Sequence, residues 1–261
     1  MQFTKIQSMG NDFVVFGSPS TKRSFSNEFI KRICDRHYGI GADCAIFIGN
    51  SSEHDYFMHV YNPDGLEAEI CGNALRCSAK YVLNNGYFAK RSFVAETLSG
   101  PRYISAEDDG ITTEIGKGSL IKKSELHFSG LSLPYYYISM GNPHCVIFTD
   151  ELTNDEFRYL GPIIETHNDF PNGTNVEFAS VSSTDEIVMR VWERGIGETL
   201  SCVTGSCACA LAAIKEGLCN NNVRVTQSGG TVDVRLRECG SFFVKGNCKI
   251  VFKGTFFNEQ E

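Results

Sequence analysis

One tryptophan, seven prolines and six histidines are spread over 261 residues. The scarcities in this sequence narrow what it can be. Positive charge is short: 24 Lys+Arg stand against 31 Asp+Glu, for a formal net charge of −7. That balance excludes a binder of nucleic-acid phosphates, which needs a basic patch to displace counterions. No apolar run approaches the roughly 18 residues a membrane helix requires, so no membrane partner is expected. The start, MQFTKIQSMG, lacks the charged-then-apolar layout of an export signal, and a cytoplasmic location is the expectation. There is no Gly-x4-Gly-Lys-Ser/Thr run, and Gly195-Ile196-Gly197 has no third glycine. Neither a nucleotide nor a pyridoxal phosphate site is evident, and no cofactor is expected.

Cysteine, by contrast, is abundant. There are 11, an odd number in a chain without an export signal, which suits free thiols better than a disulfide framework. Cys71 and Cys77 are spaced C-x5-C, and Cys202, Cys207 and Cys209 read C-x4-C-x-C. Neither is a zinc-finger spacing and no histidine cluster lies nearby, so no metal is expected. Most of these cysteines should be small buried apolar residues. The hydrophobic fraction of 42% with 21% charged residues is that of an ordinary folded chain. The length permits one large domain or two of roughly 130 residues.

An internal repeat decides between these. Ser8-Met9-Gly10-Asn11 recurs as Ser139-Met140-Gly141-Asn142, 131 residues further on. The same offset carries Phe47 to Phe178, Met58 to Met189, Val60 to Val191, Glu67 to Glu198 and Cys71 to Cys202. Tyr61 falls on Trp192 and Cys44 on Asn175. Chance likeness between strand segments could produce one such block, but three in register point to two equivalent halves.

Residues 57–61 and 187–192 read as strands, rich in β-branched and aromatic side chains. Each leads through a polar loop, Asn62-Pro63-Asp64-Gly65 or Glu193-Arg194-Gly195-Ile196-Gly197, to a cysteine and then a helix. The helices are expected at about 73–83, stopped by Asn84-Asn85-Gly86, and about 205–216, capped by Gly217. The second is apolar nearly all round and belongs inside a curved sheet. Residues 223–226, 231–236, 241–244 and 249–252 read as further short strands. The expected fold is α+β: two pseudo-symmetric domains, each a strand-rich, barrel-like, mostly antiparallel layer around a central helix, with an active site in the cleft between them. Gly116-Lys117-Gly118-Ser119 is the expected linker between residues 1–118 and 119–261. The last strand, about 249–261, is a candidate to pack back on the N-terminal half.

Cys71 and Cys202 thus occupy equivalent places just before a helix N-terminus. The free N–H groups and the helix dipole there favour an anion, which lowers a thiol from its ordinary value near 8.5. The bland alternative is two buried cysteines in glycine-containing turns. If the halves face each other, one thiolate can remove a proton from a stereocentre while the opposite thiol delivers one to the other face.

The segment Asn62-Pro63-Asp64-Gly65-Leu66-Glu67-Ala68-Glu69-Ile70-Cys71-Gly72-Asn73 resembles one signature motif of the diaminopimelate epimerase family. Glu193-Arg194-Gly195-Ile196-Gly197-Glu198-Thr199-Leu200-Ser201-Cys202-Val203-Thr204-Gly205 resembles the other. Met9-Gly10-Asn11-Asp12-Phe13, Gly39-Ile40-Gly41-Ala42-Asp43, Gly141-Asn142-Pro143-His144-Cys145 and Gly173-Thr174-Asn175-Val176 are similar to the remaining blocks, in order along nearly the whole chain. The resemblance implies a cofactor-independent two-base isomerase that interconverts LL- and meso-diaminopimelate for lysine and peptidoglycan synthesis, usually as a homodimer. It implies Cys71 and Cys202 as the base and acid, and Asn11, Asn62, Asn142, Asn175 and Gly72-Asn73 as substrate contacts. It places Glu193 and Arg194 beside the second cysteine, with Val203 and Thr204 following it. It also implies that His144 helps to tune a thiol, with Glu193 a second tuning group. Taken singly, the asparagines read equally as turn or cap residues, and Glu193-Arg194 as a surface ion pair.

The chain departs from the family pattern twice: Cys44 stands where glutamine is usual, and Val203 where glycine is usual. Cysteine is a shorter and weaker hydrogen-bonding group, so relaxed specificity toward a smaller acidic amino acid such as glutamate is one expectation. Val203 restricts positive φ and raises the expectation of an altered anion pocket. Three rivals stand beside the epimerase: a proline or hydroxyproline type of two-cysteine racemase, a redox or metal-binding protein, and a non-catalytic descendant.

Overall fold

The computed structural model describes residues 1–21, 25–68, 71–128 and 130–257. Glu69 and Ile70 of the first cysteine motif, and the end of the expected last strand at 258–261, lie outside the described residues. In chain order the elements begin with β1 (Gln2–Ser8), β2 (Asn11–Gly17), α1 (Asn27–Cys34), β3 (Cys44–Gly49), β4 (Tyr56–Tyr61) and β5 (Glu67–Ala68). Next come α2 (Gly72–Asn84), β6 (Ser92–Thr97), β7 (Gly100–Glu107), β8 (Gly110–Lys117), β9 (Ser119–Phe128) and β10 (Leu131–Ser139). They continue with β11 (Pro143–Phe148), α3 (Asn154–Glu165), β12 (Asn175–Ser183), β13 (Glu186–Glu193), β14 (Gly197–Thr199) and α4 (Val203–Lys215). The last are β15 (Asn222–Gln227), β16 (Gly230–Leu236), β17 (Ser241–Gly246) and β18 (Lys249–Thr255).

Two compact units divide the chain: Met1–Glu114 with Lys245–Glu261, and Ile115–Val244. In the first, β18 pairs antiparallel with β1 and β1 with β2. β2 runs parallel to β3, β3 antiparallel to β4, and β4 parallel to β6, which pairs with β7. The second unit repeats this order: β9–β10–β11 antiparallel, β11 parallel to β12, β12 antiparallel to β13, and β13 parallel to β15, which pairs with β16. The run Gly116–Ser119, expected as a linker, is extended, with β8 ending at Lys117 and β9 starting at Ser119. Gly118 between them has no Cβ because Met140 and Leu211 occupy that space.

Both expected central helices form. α2 packs against β1, β2, β3, β4, β7 and β18, and α4 against β9 to β13, β15 and β16. All residues of α4 from Val203 to Ala213 are buried, as its apolar circumference requires. The helices end where the sequence signals place them: Asn85 caps α2 before Gly86 (φ 68°), and Gly217 (φ 71°) follows α4. The other face of each sheet carries a second helix. In the first unit, Ile30 and Ile33 of α1 share a core cluster with Phe3, Val14, Phe16 and Phe47. In the second, Phe157, Leu160 and Ile164 of α3 join Leu126, Tyr135, Ile147 and Phe178. Cover on both faces explains why β2 is buried without alternation from Phe13 to Phe16. Among the described residues no helix is long and apolar enough to cross a membrane.

Candidate active site

In the first unit, β4 ends at Tyr61 and the chain turns at Asn62-Pro63-Asp64-Gly65. The Asn62 N–H donates to Leu66 O at 2.9 Å, the Leu66 N–H to Asp64 Oδ1 at 2.8 Å, and Gly65 takes φ 85°. Cys71 is then the N-cap of α2 in extended backbone, and its thiol makes no capping bond. The Cys71 Sγ lies 3.9 Å from Asn11 Oδ1, the same oxygen that accepts from Asn73 Nδ2 at 3.5 Å. Asn11 is held from behind: its Nδ2 donates to Asp43 Oδ2 at 3.1 Å, which also accepts the Asp12 N–H at 3.0 Å. Arg36 joins Asp12 and Asp43, and Lys5 pairs with Asp12 at 2.6 Å. Burial works to raise the Asp12 carboxyl, but hydrogen bonds from Arg36 and Lys5 prevail and hold it well below the usual carboxylate range. Buried Arg76, one turn further along α2, donates to Asn73 Oδ1 and to Ser8 Oγ. Cys44 starts β3 and its thiol donates to Asn62 Oδ1 at 3.8 Å. The first unit therefore gathers Asn11, Cys71, Gly72 and Asn73 at one helix start, and pairs Cys44 with Asn62.

In the second unit, Cys202 is the N-cap of α4 and its sulfur does the capping, accepting the Gly205 N–H at 3.3 Å. Thr204 Oγ1 lies 3.4 Å from the same sulfur. Asn142 Nδ2 donates to Thr204 Oγ1 at 3.3 Å, and Asn142 Oδ1 lies 3.1 Å from His144 Nε2. His144 in turn places Nδ1 2.6 Å from Glu177 Oε1, with both side chains sealed from water. Nothing in the sequence singled out Glu177. It is the third residue of β12, and the parallel pairing of β12 with β11 brings it to His144.

The remaining residues hold the 193–197 loop. Asn175 commits both ends of its amide to backbone, Nδ2 donating to Pro143 O at 2.9 Å and Oδ1 accepting the Arg194 N–H at 3.0 Å. Arg194 Nη1 donates to Asn172 O at 3.3 Å, and the Glu193 carboxylate accepts the Thr199 hydroxyl.

Two expectations need correction. The Cys202 thiol is not lowered by its helix N-terminus. Burial, with the nearby Glu193 and Glu177 carboxylates, pushes it well above its ordinary value, and donors from Thr204 and Gly205 offset only part of that. Desolvation of a thiolate at 7% exposure outweighs a terminal dipole. Val203, second, needs no positive φ: it is the first residue of α4, as Gly72 is of α2, and Met9 is the one non-glycine residue at positive φ among the described residues. A β-branched side chain is unstrained there.

Two units of like construction, each with a central helix that opens on a cysteine near an asparagine of the β1–β2 or β10–β11 hairpin, define a two-half α+β fold. Solved structures share that fold. A phenazine biosynthesis protein of the PhzF family from Bacillus anthracis superposes with a TM-score of 0.77 at 17% identity, over 99% of both chains. A hydroxyproline epimerase from Agrobacterium vitis superposes with a TM-score of 0.73 at 14% identity, over 97% of this chain and 91% of that one. Those likenesses concern the fold. Sequence goes further: the family profile for diaminopimelate epimerase matches residues 3–121 and 136–251. The diaminopimelate epimerase of Leptospira biflexa is 37% identical over 274 residues, covering 97% of this chain and 98% of that one. That of Pelotomaculum thermopropionicum is 38% identical over 277 residues, covering 98% and 99%. The chain belongs to the diaminopimelate epimerase family and is an isomerase.

Proposed function

We propose that the protein interconverts LL- and meso-diaminopimelate without a cofactor, using Cys71 and Cys202 as a pair of proton-transfer groups, in lysine and peptidoglycan synthesis. The observation that carries this reading is the repeated construction: each unit has one cysteine N-capping its central helix, with the residue two positions on hydrogen-bonded to the equivalent asparagine. In the reaction, the sulfur of one cysteine takes the proton from the α-carbon, the carbanion flattens beside its carboxylate, and the other thiol returns a proton to the opposite face. One proton enters and one leaves, so no oxidant is required. The ordinary neutral asparagine amides suit a zwitterion because each can donate to a carboxylate and accept from an ammonium. Arg194 is assigned to a substrate carboxylate, and Glu193 to an ammonium. The proposal takes the protein as a cytoplasmic homodimer.

Deuterium wash-in tests it. In D2O, purified protein with LL-diaminopimelate is expected to label the α-carbon as it epimerises. Cys71→Ala and Cys202→Ala should each lose about 10²- to 10⁴-fold, the usual weight of a positioned acid or base. Near wild-type turnover in either variant would overturn the pairing. Proline and hydroxyproline in the same assay distinguish the other two-cysteine racemases; turnover of these instead of diaminopimelate would sink the substrate assignment.

One observation favours a broader substrate range: Cys44 offers Asn62 a weak thiol donor at 3.8 Å rather than an amide. With L-glutamate the protein is expected to build up D-glutamate. No D-isomer above the Cys71→Ala background would end that reading.

A further inference from the structure

We propose that Glu177 is a positioning residue for the Cys202 thiol, acting through His144, Asn142 and Thr204. The proposal rests on the reading of Cys202 as one of the two proton-transfer groups. Glu177 is a costly residue to keep. It is sealed from water, one carboxylate oxygen meets His144 Nδ1 at 2.6 Å, and the other, Oε2, has no hydrogen-bond partner among the described residues. The start of α4 is opened to admit it, since a Cβ on Gly205 would lie 2.6 Å from Glu177 Oε1.

From the carboxylate outward, each group fixes the polarity of the next. Nδ1 of His144 meets Glu177 Oε1 at 2.6 Å, and the other ring edge, Nε2, meets Asn142 Oδ1 at 3.1 Å, an oxygen that can only accept. An amide has one accepting and one donating end, so Asn142 must turn Nδ2 toward Thr204 Oγ1, 3.3 Å away. Thr204 then accepts, and its single hydroxyl hydrogen is left to point at Cys202 Sγ, 3.4 Å away. The Gly205 N–H reaches the same sulfur at 3.3 Å. Two donors converge on a sulfur whose ionisation burial opposes, and the chain of contacts stretching back to Glu177 holds one of them in aim. An amide does not conduct the proton; the relay orients it. The titratable groups facing Cys202 are Glu193, Glu177 and, deeper on α4, Cys209, while Glu177 also faces His144 and Cys145.

Alkylation of the purified full chain by iodoacetamide across pH, followed at the Cys202 and Cys71 peptides by mass spectrometry, tests this without turnover. Glu177→Gln removes the carboxylate charge, which by itself raises the Cys202 thiol, but its amide can still bond Nδ1; Glu177→Leu removes the charge and the bond together. Cys202 in the Leu variant is therefore expected to react about tenfold more slowly at pH 8 than in the Gln variant, its profile about one pH unit higher, with Cys71 the same in both. Superimposed Cys202 profiles in the two variants, or a Leu variant faster than Gln, overturn the proposal. If the Leu variant does not fold, Thr204→Val removes the last donor and should give the same tenfold loss at Cys202 alone; no loss there overturns it equally. A Cys202→Ala variant that still epimerises, beside a shifted alkylation profile, would remove the catalytic reading and leave the positioning intact.

Discussion

Asn11 and Asn142 stand at the same place in two copies of one β-hairpin, and they present opposite ends of their amides to the neighbouring helix start. Asn11 turns Nδ2 to the Asp43 carboxylate, which can only accept, and so shows its oxygen to Asn73 and Cys71. Asn142 has Oδ1 against His144 and shows its NH2 to Thr204. The hairpins diverge before the side chains do. In the first, Ser8 pairs directly with Asn11 and both central residues take positive φ, Met9 at 54° and Gly10 at 80°, as a two-residue hairpin turn requires. In the second, Ser139 pairs with Pro143, so three residues make the turn and Gly141 alone takes positive φ, 99°. Pro143 replaces Asp12, whose N–H bonds Asp43, and a proline has no such donor to give. The register of the second hairpin is displaced by one residue from that of the first. Identical tetrapeptides, Ser-Met-Gly-Asn, end with their asparagines facing different chemistry.

The lesson concerns how duplicated halves are put to unlike tasks. The secondary plan is common; the group behind each asparagine, acidic in one unit and an imidazole–carboxylate pair in the other, is not. An amide oxygen stands 3.9 Å from the Cys71 sulfur, while a hydroxyl and a backbone N–H meet the Cys202 sulfur.

The comparison can be broken at several points. The largest effect is expected at Asp43→Asn, which lets Asn11 rotate and takes a carboxylate from Arg36. Losing a hydrogen bond to a charged group should lower turnover by about tenfold to a hundredfold in the wash-in assay; an unchanged rate would mean that Asn11 is held by something else. Gly205→Ala comes next, because its Cβ collides with Glu177. Chemical denaturation should register a loss of about 1–3 kcal/mol. The equivalent residue of the first unit is Ala74, where Ile46 stands in place of Glu177. Ala74→Gly should cost only about 1 kcal/mol, the backbone penalty of glycine in a helix. Equal losses at the two positions would remove the carboxylate from the explanation.

The alkaline limb gives a smaller, graded effect. Burial pushes the Cys34 thiol up to about 11 from 9.0, and Cys77, Cys145, Cys202 and Cys209 rise for the same reason. In the unfolded chain these thiols ionise near 9, so the folded state holds protons that the unfolded state releases. Their contribution to stability is complete below pH 9 and is lost as pH rises toward 11 and beyond. Denaturant midpoints measured from pH 7 to 11 should fall above 9, and a flat profile would contradict the burial of these thiols. The smallest change is expected from Val203→Gly: the position is helical and unstrained, so activity should stay within about threefold and stability should fall by about 1 kcal/mol.

Much of this was legible in the linear order of residues. The 131-residue offset, the strand-loop-cysteine-helix succession and the helix stops at Asn85-Gly86 and Gly217 are local patterns, and local patterns survive without a tertiary context. The motif resemblance reached the family for the same reason. What stayed hidden was whatever depends on non-local pairing or on water. Glu177 reads as an ordinary strand residue until β11 and β12 align. The dipole argument for a lowered thiol holds for a solvated helix end, and Cys202 is not solvated.

The sequence alone determined the repeat, the two helix-capping cysteines and the family, because backbone propensity and side-chain order are carried by neighbours along the chain. Tertiary structure alone decided which end of each asparagine faces its cysteine, and whether a thiol at a helix start is raised or lowered. Those outcomes depend on burial and on partners tens of residues away, and electrostatics in a protein is set by what surrounds a charge rather than by what precedes it.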